Sequence, residues 1–593
     1  MIQQTNKKPQ KAFTKTGGKK SFGNKFESRT PKKVFIPALP KDTLRIIPIG
    51  GCEEVGRNMT VFEYNKDIII IDIGMQFPEE DMPGIDYIVP NAKYLKGKEK
   101  NIRAAIFTHG HLDHIGAAPI VLEQIGNPPI VGRDLTLAMI KHKQDDYKKG
   151  SAKKLKTIRV KSLNDTLQFG EIKVKFFQVE HSIMDAMGVI LETPRGTVIH
   201  PGDWTLERNK EGVHRIDYTN LRDLKRPTIL MLESLGALNN KSHGTYEDMY
   251  KNIFNLLHDA PGRVIIGTFS SQIERVRWII EAAGNLGKKV AVDGYSMRAN
   301  IEITTKLGYI KPKKGVLIDI RRISDYPENE VVIICTGAQG EERAAMNRIV
   351  EKQHKYVTLQ KKDTVIFSSS VIPGNERTVQ RLKDNIYRQC DNVYHGSLMD
   401  VHVSGHSTQQ DILEVMNMIQ PDYFIPIYAN HFFLKEAKYL AVRAGFPAEN
   451  VIVPDNGTII ELSDKMRVLK EKVPTNYVFV DGLGVSDSQH IVLRDRQALS
   501  ADGMVVVIAT IDSKTGLLIQ NPDIISRGFV FLKDNRTLIE DIRNKVKNLV
   551  VESDPLTWAD SNQVRNDIRD KIGKFVLSRT NKRPMILPVV IEV

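Results

Sequence analysis

The sequence predicts an α/β protein that is divided into several domains. Short apolar runs that end at glycine or at a polar residue alternate with helical patterns as far as about residue 240. The same alternation repeats between about 245 and 395, and a third region begins near residue 485. Because the chain has 593 residues, of which 41% are hydrophobic, each region has enough apolar side chains for its own core.

Each region has its own predicted elements. In the first region, strands are expected at 43–49, 67–71, 103–107, 172–179 and 197–200. In the second region, strands are expected at 263–268, 289–292, 331–335 and 364–368. Gly- or Ser-rich turns and helical patterns follow these four runs, which predicts a parallel sheet. In the third region, we expect strands at 503–511 and 585–593 and helices at 538–551 and 561–578.

Positive charge is concentrated at the N-terminus. Residues 1–33 contain ten Lys and Arg and one Glu, a net charge of +9, whereas the whole chain carries +14. This segment is rich in Gly, Ser and Thr and has few large apolar residues, so residues 1–36 are expected to be a disordered basic tail. Such a tail favours a polyanionic partner through counterion release, or it only increases solubility.

Composition also restricts the compartment. The sequence has no run of about 20 apolar residues and no secretory signal, so we expect no membrane span. Its three cysteines lie far apart and form no zinc-type pair, which argues for a reducing compartment and against a disulfide framework. The expected location is the cytoplasm.

The strongest chemical signal follows the strand predicted at 103–107. Residues 108–114 read Thr-His-Gly-His-Leu-Asp-His, so His109, His111, Asp113 and His114 share one turn before a predicted helix. Side chains spaced this closely on a turn can converge on one point, and imidazole with carboxylate suits zinc or manganese. The competing interpretation, a polar turn with unrelated histidines, does not explain this density.

Other predicted strand ends supply further candidates. A pair of metal ions needs about six to eight ligand atoms. His181 and Asp203 each follow a predicted strand, and a carboxylate at such a place can bridge two cations. Asp72 ends the strand at 67–71, where it can accept a hydrogen bond from a ligating histidine.

In this order, these residues resemble the successive motifs of the metallo-β-lactamase fold. Six further segments resemble signatures of ribonuclease J, and together they span roughly residues 40 to 593: Cys-Thr-Gly-Ala-Gln-Gly-Glu at 335–341, and the segments 367–376, 402–406, 481–485, 522–530 and 583–588. These segments are more specific than the metal motif, which many hydrolases share.

The resemblance implies a domain plan. It consists of a metallo-β-lactamase αββα sandwich, an inserted α/β β-CASP domain and a small α+β C-terminal domain. The expected boundaries are 1–36 for the tail, 37–243 and 396–458 for the two parts of the sandwich, 244–395 for the β-CASP domain, 459–485 for a linker and 486–593 for the C-terminal domain.

The resemblance also implies two divalent cations, with Zn²⁺ expected and Mn²⁺ or Mg²⁺ as alternatives. By resemblance, one ion takes His109, His111 and His181. The other takes Asp113 and His114, and Asp203 bridges the two. The family also has a structural Ca²⁺ site, and the matching positions here are Gly84, Asp86 and Asp481.

Catalytic and substrate-binding positions follow from the same resemblance. Asp113, Asp203, Glu233 and His406 match catalytic positions, and Glu233 would orient His406 toward the phosphate or the leaving oxygen. The matching phosphate-binding segment is His402, Val403, Ser404, Gly405 and His406. A glycine there lets the backbone approach an anion, while Ser and His donate to it.

The sequence departs from the family pattern at two places. Tyr428 stands where a metal-ligating His is usual, and His431 would replace it only if the loop bends back. The second ion would then keep Asp113, His114 and Asp203 alone. Glu274 stands where many relatives carry His, and the sequence offers no account of its role.

The expected activity is metal-dependent hydrolysis of RNA phosphodiesters. By resemblance, the enzyme degrades 5′-monophosphorylated RNA from 5′ to 3′ and also cuts internally, in mRNA decay and rRNA maturation. Homodimers or homotetramers are implied, including assembly with a paralogue. Alternatives are a weakly active RNA-binding partner subunit, a small-molecule hydrolase such as a lactonase, and a DNA-processing enzyme.

Overall fold

The structure is a computed structural model. It describes residues 35–79, 81–209, 211–240, 246–341, 344–371, 375–396, 398–399, 401, 405–482, 484–486, 490–512, 515, 517–529, 536–551 and 561–593. Two sequence predictions lie outside these residues, namely the disorder of the tail up to residue 34 and the positions of His402, Val403 and Ser404. Among the described residues, every helix is too short or too polar to cross a membrane.

The first part of the chain alternates strands with short helices. In chain order these are β1 (Leu44–Gly50), β2 (Met59–Tyr64), β3 (Asp67–Ile71), β4 (Tyr87–Val89), β5 (Ile102–Ile106), α1 (Leu112–Ile115), α2 (Ala118–Gln124), β6 (Ile130–Gly132), α3 (Asp134–Tyr147), β7 (Thr157–Arg159), β8 (Thr166–Phe169), β9 (Ile172–Gln178), β10 (Met187–Thr193), β11 (Gly196–His200) and β12 (Thr228–Glu233).

The middle of the chain continues this alternation. Its elements are α4 (Tyr246–Asp259), β13 (Val264–Gly267), α5 (Ile273–Asn285), β14 (Lys289–Asp293), α6 (Tyr295–Lys306), β15 (Leu317–Ile318), β16 (Val331–Cys335), α7 (Ala345–Val350), β17 (Thr364–Phe367), α8 (Glu376–Tyr387) and β18 (Asn392–His395). These strands form one sheet in the order β15-β14-β16-β13-β17-β18. The sheet is parallel, as the sequence predicts, and it includes two strands, β15 and β18, beyond the four predicted.

The chain then returns to the first part and ends in a smaller unit. The remaining elements are α9 (Gln409–Ile419), β19 (Tyr423–Ile427), α10 (His431–Arg443), β20 (Thr458–Leu462), β21 (Met466–Lys472), β22 (Val478–Asp481), β23 (Gly484–Ser486), α11 (His490–Asp502), β24 (Met504–Ile511), β25 (Asp523–Arg527), α12 (Arg536–Val551), α13 (Ser561–Thr580) and β26 (Met585–Glu592). In the final unit, α12 and α13 pack on the sheet β25-β24-β26.

Two sheets face each other in the first part. Their orders are β21-β20-β1-β2-β3-β5-β6-β7 and β19-β12-β11-β10-β9-β8. Apolar side chains of both sheets, such as Phe62 and Val189, form the core between them. Helices α2 and α3 cover the outer face of the first sheet, and α9 and α10 cover that of the second. This is the αββα sandwich that the resemblance implies, with the parallel sheet inserted between β12 and β19.

The segment 459–485 is not the linker that we expected. It supplies most of β20, together with β21 and β22, and β22 pairs with β4. The guanidinium of Arg45 on β1 donates to the Glu461 carboxylate on β20 at 2.6 Å, and both side chains are buried. The domain plan taken from the resemblance counted this segment as a linker, whereas its backbone completes the edge of the first sheet.

Candidate metal centre

The residues predicted to form the metal site lie together at one rim of the sandwich, where several strands end. Asp72 follows β3, the cluster at 109–114 follows β5, His181 follows β9 and Asp203 follows β11. Their ligand atoms form two adjoining groups that share one carboxylate. These groups are His109, His111, His181 and Asp203, and Asp113, His114 and Asp203.

In the first group, imidazole nitrogens face one another at short range. Nε2 of His109 lies 3.1 Å from Nδ1 of His111, and Nε2 of His181 lies 2.9 Å from that same atom. The Asp203 carboxylate lies 3.9 Å from His109 and 3.8 Å from His181. These are the nitrogen and oxygen donors that a divalent transition-metal ion accepts.

The outer hydrogen bonds of these rings fix where their lone pairs point. Nδ1 of His181 donates to the Gly405 carbonyl at 2.7 Å, so its Nε2 carries a lone pair. Thr108 Oγ1 donates to Asp72, and it lies 3.0 Å from Nδ1 of His109, from which it accepts. The Nε2 lone pairs of His109 and His181 therefore both point at Nδ1 of His111, which as a neutral ring can donate a hydrogen bond to only one of them. A cation between the three rings would accept lone pairs from all of them, so the residues present fit a metal ion.

Burial keeps these imidazoles ready for a metal. It lowers the pKa of His181 to about 3 and that of His111 to about 4. It also places the pKa of His109 well below its usual range, and the neighbouring His114 adds to this effect. At neutral pH these rings are unprotonated and can donate lone pairs to a metal.

The second group is held by a different set of charges. Nε2 of His114 lies 3.2 Å from Asp203 and 3.4 Å from Asp113, while its Nδ1 donates to Asp72 at 2.7 Å. Burial opposes a charge on His114, but these three carboxylates raise its pKa well above the usual value. Asp72 has a left-handed backbone (φ 61°), and it also accepts from the Thr108 amide at 2.8 Å. The carboxylate of Asp72 therefore lies where it can orient the His114 ring.

Comparison with known proteins now identifies the family. Residues 53–248 match the metallo-beta-lactamase superfamily, 261–386 match the ribonuclease J beta-CASP domain and 491–593 match the ribonuclease J C-terminal domain. The chain is 34% identical to Ribonuclease J 1 of Streptococcus pyogenes and 32% identical to Ribonuclease J2 of Bacillus subtilis. Each alignment covers 93% of this chain and at least 98% of the relative. Ribonuclease J of Thermus thermophilus is 34% identical, over 93% of this chain and 96% of its own length.

The chain belongs to the ribonuclease J family. It is therefore a metal-dependent ribonuclease with a metallo-β-lactamase domain, a β-CASP insertion and a C-terminal domain, and its substrate is RNA. The fold supplies divalent metal binding, and the two ligand groups at the sheet rim are where the described residues offer it.

Two further predicted residues of this ribonuclease lie beside the metal ligands. Nδ1 of His406 is 4.0 Å from Asp203 and 3.8 Å from the Glu233 carboxylate. Glu233 Oε1 accepts from the Leu235 amide at 2.6 Å, while its Oε2 is buried and has no hydrogen-bond partner among the described residues. Burial and the nearby Asp203 raise the pKa of Glu233 well above its usual value. These two causes favour the protonated form of Glu233 over its carboxylate.

Gly405 approaches the centre so closely that no side chain fits. A Cβ at this position would lie 2.6 Å from Ser182 Oγ and 3.1 Å from the His181 ring. Its carbonyl orients His181, a contact that the sequence did not indicate. The rest of the predicted phosphate segment, 402–404, lies outside the described residues.

Tyr428 and His431, the two candidates for the missing metal ligand, have different surroundings in the structure. Tyr428 is buried at the rim, where its hydroxyl lies 3.2 Å from Nε2 of His200 and 3.5 Å from Asp72. Nδ1 of His431 instead lies 3.0 Å from the Asp455 carboxylate, and the His431 side chain is 44% exposed. The loop does not bend back, so His431 does not substitute for the missing histidine.

The residues expected to hold calcium do not fit a calcium ion. The guanidinium of Arg496 on α11 donates to the Gly84 carbonyl at 2.9 Å and pairs with Asp481 at 2.6 Å. Asp86 accepts from the Gly482 amide at 2.7 Å. A side-chain cation thus contacts the Gly84 and Asp481 oxygens that the resemblance assigned to Ca²⁺, and no local pattern in the sequence indicates this contact of Arg496.

A cavity of about 490 Å³ opens beside the metal centre, between the sandwich and the inserted domain. His181, Arg215 and Trp278 line it together with Glu180, Glu207 and Glu274. Burial raises the pKa of each of these glutamates, although Arg277, 3.4 Å from Glu274, opposes the shift there. Glu274, whose role the sequence did not explain, thus belongs to a cluster of three glutamates at the domain junction.

Proposed function

We propose that this ribonuclease degrades 5′-monophosphorylated RNA from its 5′ end and also cuts RNA internally, in mRNA decay and rRNA maturation. The observation that carries the proposal is the pair of adjoining donor groups that share Asp203. A two-ion centre of this kind suits phosphodiester hydrolysis, because the attacking and leaving oxygens each gain electrostatic stabilisation. Zn²⁺ is the proposed metal. Mn²⁺ and Mg²⁺ are alternatives, which these nitrogen and oxygen donors would bind more weakly than Zn²⁺.

The proposed roles divide the ligands between two ions. His109, His111 and His181 hold one ion, Asp113 and His114 hold the other, and Asp203 bridges them. When bound, such ions lower the pKa of water to near 7 and neutralise charge on the phosphoryl oxygens.

The remaining roles belong to groups around the ligands. Asp72 keeps His114 oriented through its 2.7 Å hydrogen bond, and the Gly405 carbonyl does the same for His181. His406, beside Glu233, contacts the phosphate or supplies a proton to the leaving 3′ oxygen. Because the pKa of Glu233 is raised, we infer that it carries a proton that helps to orient His406.

The decisive experiment measures nucleotide release by purified, remetallated protein. Substrates of one sequence would be RNA with a 5′ monophosphate, RNA with a 5′ hydroxyl, and DNA, since only RNA offers the 2′ hydroxyl. Asp113→Ala and Asp203→Ala should each lower the rate by at least about a thousandfold, because loss of a metal ligand removes several kcal/mol of transition-state stabilisation. Asp464→Ala is the matched control, since that carboxylate is 94% exposed.

Four results bear on the proposal. Release of mononucleotides that depends on the 5′ monophosphate supports the exonuclease, and internal fragments support the endonuclease. Full activity after loss of Asp203 contradicts the proposed centre. Equal hydrolysis of DNA contradicts the choice of substrate.

One observation favours a second candidate function, that of a weakly active partner subunit. Tyr428 occupies the place of a metal-ligating histidine and hydrogen-bonds to His200 instead. In this case the chain binds RNA and assembles with an active paralogue in the cytoplasm. Sedimentation of the purified chain, alone and mixed with such a paralogue, separates a homodimer or homotetramer from a mixed assembly.

A further inference from the structure

The second donor group is one ligand short of the first. It consists of Asp113, His114 and Asp203, whereas the first group has three histidines and Asp203. The side chain expected to complete it is replaced by Tyr428, whose hydroxyl faces Asp72 and His200. A zinc ion normally takes four ligands, so a further donor from the chain would close this site.

Asn58, just before β2, lies beside the second donor group and can supply this further donor. Its side chain is buried, with 2% of its surface exposed. Its backbone is fixed against the metal loop, because its amide donates to the Asp113 carbonyl at 3.1 Å and its carbonyl accepts from Gly74 at 2.9 Å. The side chain therefore has little freedom to leave the site.

The side-chain amide of Asn58 has the spacing of a metal ligand. One end of this amide lies 3.0 Å from Nε2 of His114 and 3.4 Å from Oδ2 of Asp113. His114 Nε2 lies 3.4 Å from that same Asp113 oxygen and 3.2 Å from Asp203 Oδ1. Ligand atoms about 2.0 Å from a tetrahedral zinc are about 3.3 Å from one another. These four separations match that edge length.

The orientation of the amide decides what Asn58 can do. The end that faces the site is the nitrogen, while Oδ1 is buried and has no hydrogen-bond partner among the described residues. A half-turn about the last side-chain bond exchanges nitrogen and oxygen without moving any other atom. It places the NH2 group where Oδ1 now lies and directs the amide oxygen at the other ligand atoms, where that oxygen can bind a cation.

We propose that Asn58 binds the second metal ion through Oδ1 and fills the place that Tyr428 leaves open. This inference rests on the two-ion centre of the proposed function. It explains how the chain can hold two ions although the usual histidine is absent.

The test is metal content and affinity, measured without any nuclease assay. Apo protein is titrated with Zn²⁺ against a chromophoric chelator, and the bound metal is counted by elemental analysis after desalting. The variants are Asn58→Ala and Asn58→Asp. The matched control is Asn91→Ala, because Asn91 is equally buried but caps a distant helical turn through Lys93.

The two substitutions separate a ligand from a simple hydrogen-bond donor. Wild type should bind two equivalents, and Asn58→Ala should keep the first while the second weakens by about tenfold to a hundredfold. Aspartate has nearly the same shape and offers oxygen only, so Asn58→Asp should bind the second ion at least as tightly as wild type. If Asn58 only donates to His114, aspartate would fail as alanine does.

Each outcome has a definite reading. Retention of the first ion in Asn58→Ala shows that the variant is folded around an intact first group. A second ion bound equally well by wild type and Asn58→Ala overturns the inference, as does an Asn58→Asp protein that resembles Asn58→Ala. If wild type binds a single ion, the inference about Asn58 is wrong as well, but the chain could still be a nuclease that uses one ion. Failure of the two-ion centre itself would show separately, as unchanged metal content in Asp113→Ala.

Discussion

Glu207 should make the protein less stable as pH rises, and Glu207→Gln should remove this effect. The side chain is 16% exposed, its Oε2 contacts Arg215 at 2.6 Å, and it lines the cavity beside His181. Burial, reinforced by the neighbouring Glu180, raises its pKa from 4.5 to about 7 despite Arg215. The folded protein therefore holds this proton more tightly than the unfolded chain does.

The sign and size of the effect follow from this difference. Below pH 4.5 the carboxyl group is neutral in both states, and it costs nothing. Between pH 4.5 and about 7 the unfolded chain loses the proton while the folded protein keeps it, so stability falls as pH rises. Above pH 7 the cost is complete, at about 3 kcal/mol for the pKa difference. At pH 5 it is less than about 1 kcal/mol.

Thermal unfolding at pH 5 and pH 8.5 measures this effect. The sandwich and its inserted domain, from β1 to β22, comprise about 440 residues. If they unfold together, their entropy of unfolding is about 0.9 kcal/mol/K, so about 3 kcal/mol corresponds to about 3–4 °C. Glu207→Gln should therefore melt about 3–4 °C above wild type at pH 8.5 and within about 1 °C of it at pH 5. Glu211→Gln, at an exposed position of the same loop, should match wild type at both pH values. A Glu207→Gln protein that is destabilised at pH 8.5, or shifted equally at both pH values, would refute the reasoning.

Two further predictions concern the calcium positions and the unused histidine. Arg496→Ala should lower the free energy of unfolding by about 1–2 kcal/mol, because it removes charged hydrogen bonds to Gly84 and Asp481, and added Ca²⁺ should not change the melting temperature of wild type. A wild-type melting temperature that rises with Ca²⁺ would contradict this. His431→Ala should leave metal content and turnover unchanged and lower the free energy of unfolding by less than about 1 kcal/mol, because the His431 contact with Asp455 is at the surface. Loss of bound metal in this variant would instead make His431 a ligand.

The sequence was informative where chemistry depends on residues close together in the chain. The spacing of His109, His111, Asp113 and His114 on one turn was enough to predict a metal group, and alternating apolar runs predicted the strands on which it rests. His181 and Asp203 could be added because each follows such a run, where a further histidine can complete a set of ligands and a carboxylate can bridge two cations. These predictions use local periodicity and ligand chemistry, which need no knowledge of long-range contacts.

The tertiary structure decided whatever depends on residues that are distant in sequence. The segment 459–485 is a sheet edge only because β1 offers it unpaired backbone groups some 400 residues earlier in the chain. Arg496 reaches Gly84, and Asn58 reaches His114, through packing that no local pattern records. Tyr428 and His431 are only three residues apart in the sequence, yet the Tyr428 ring is buried at the rim and the His431 ring is at the surface. Only the fold distinguishes these two positions. The sequence by itself thus indicates the types of candidate ligands and their order along the chain. Long-range packing determines which further residues complete each group of ligands.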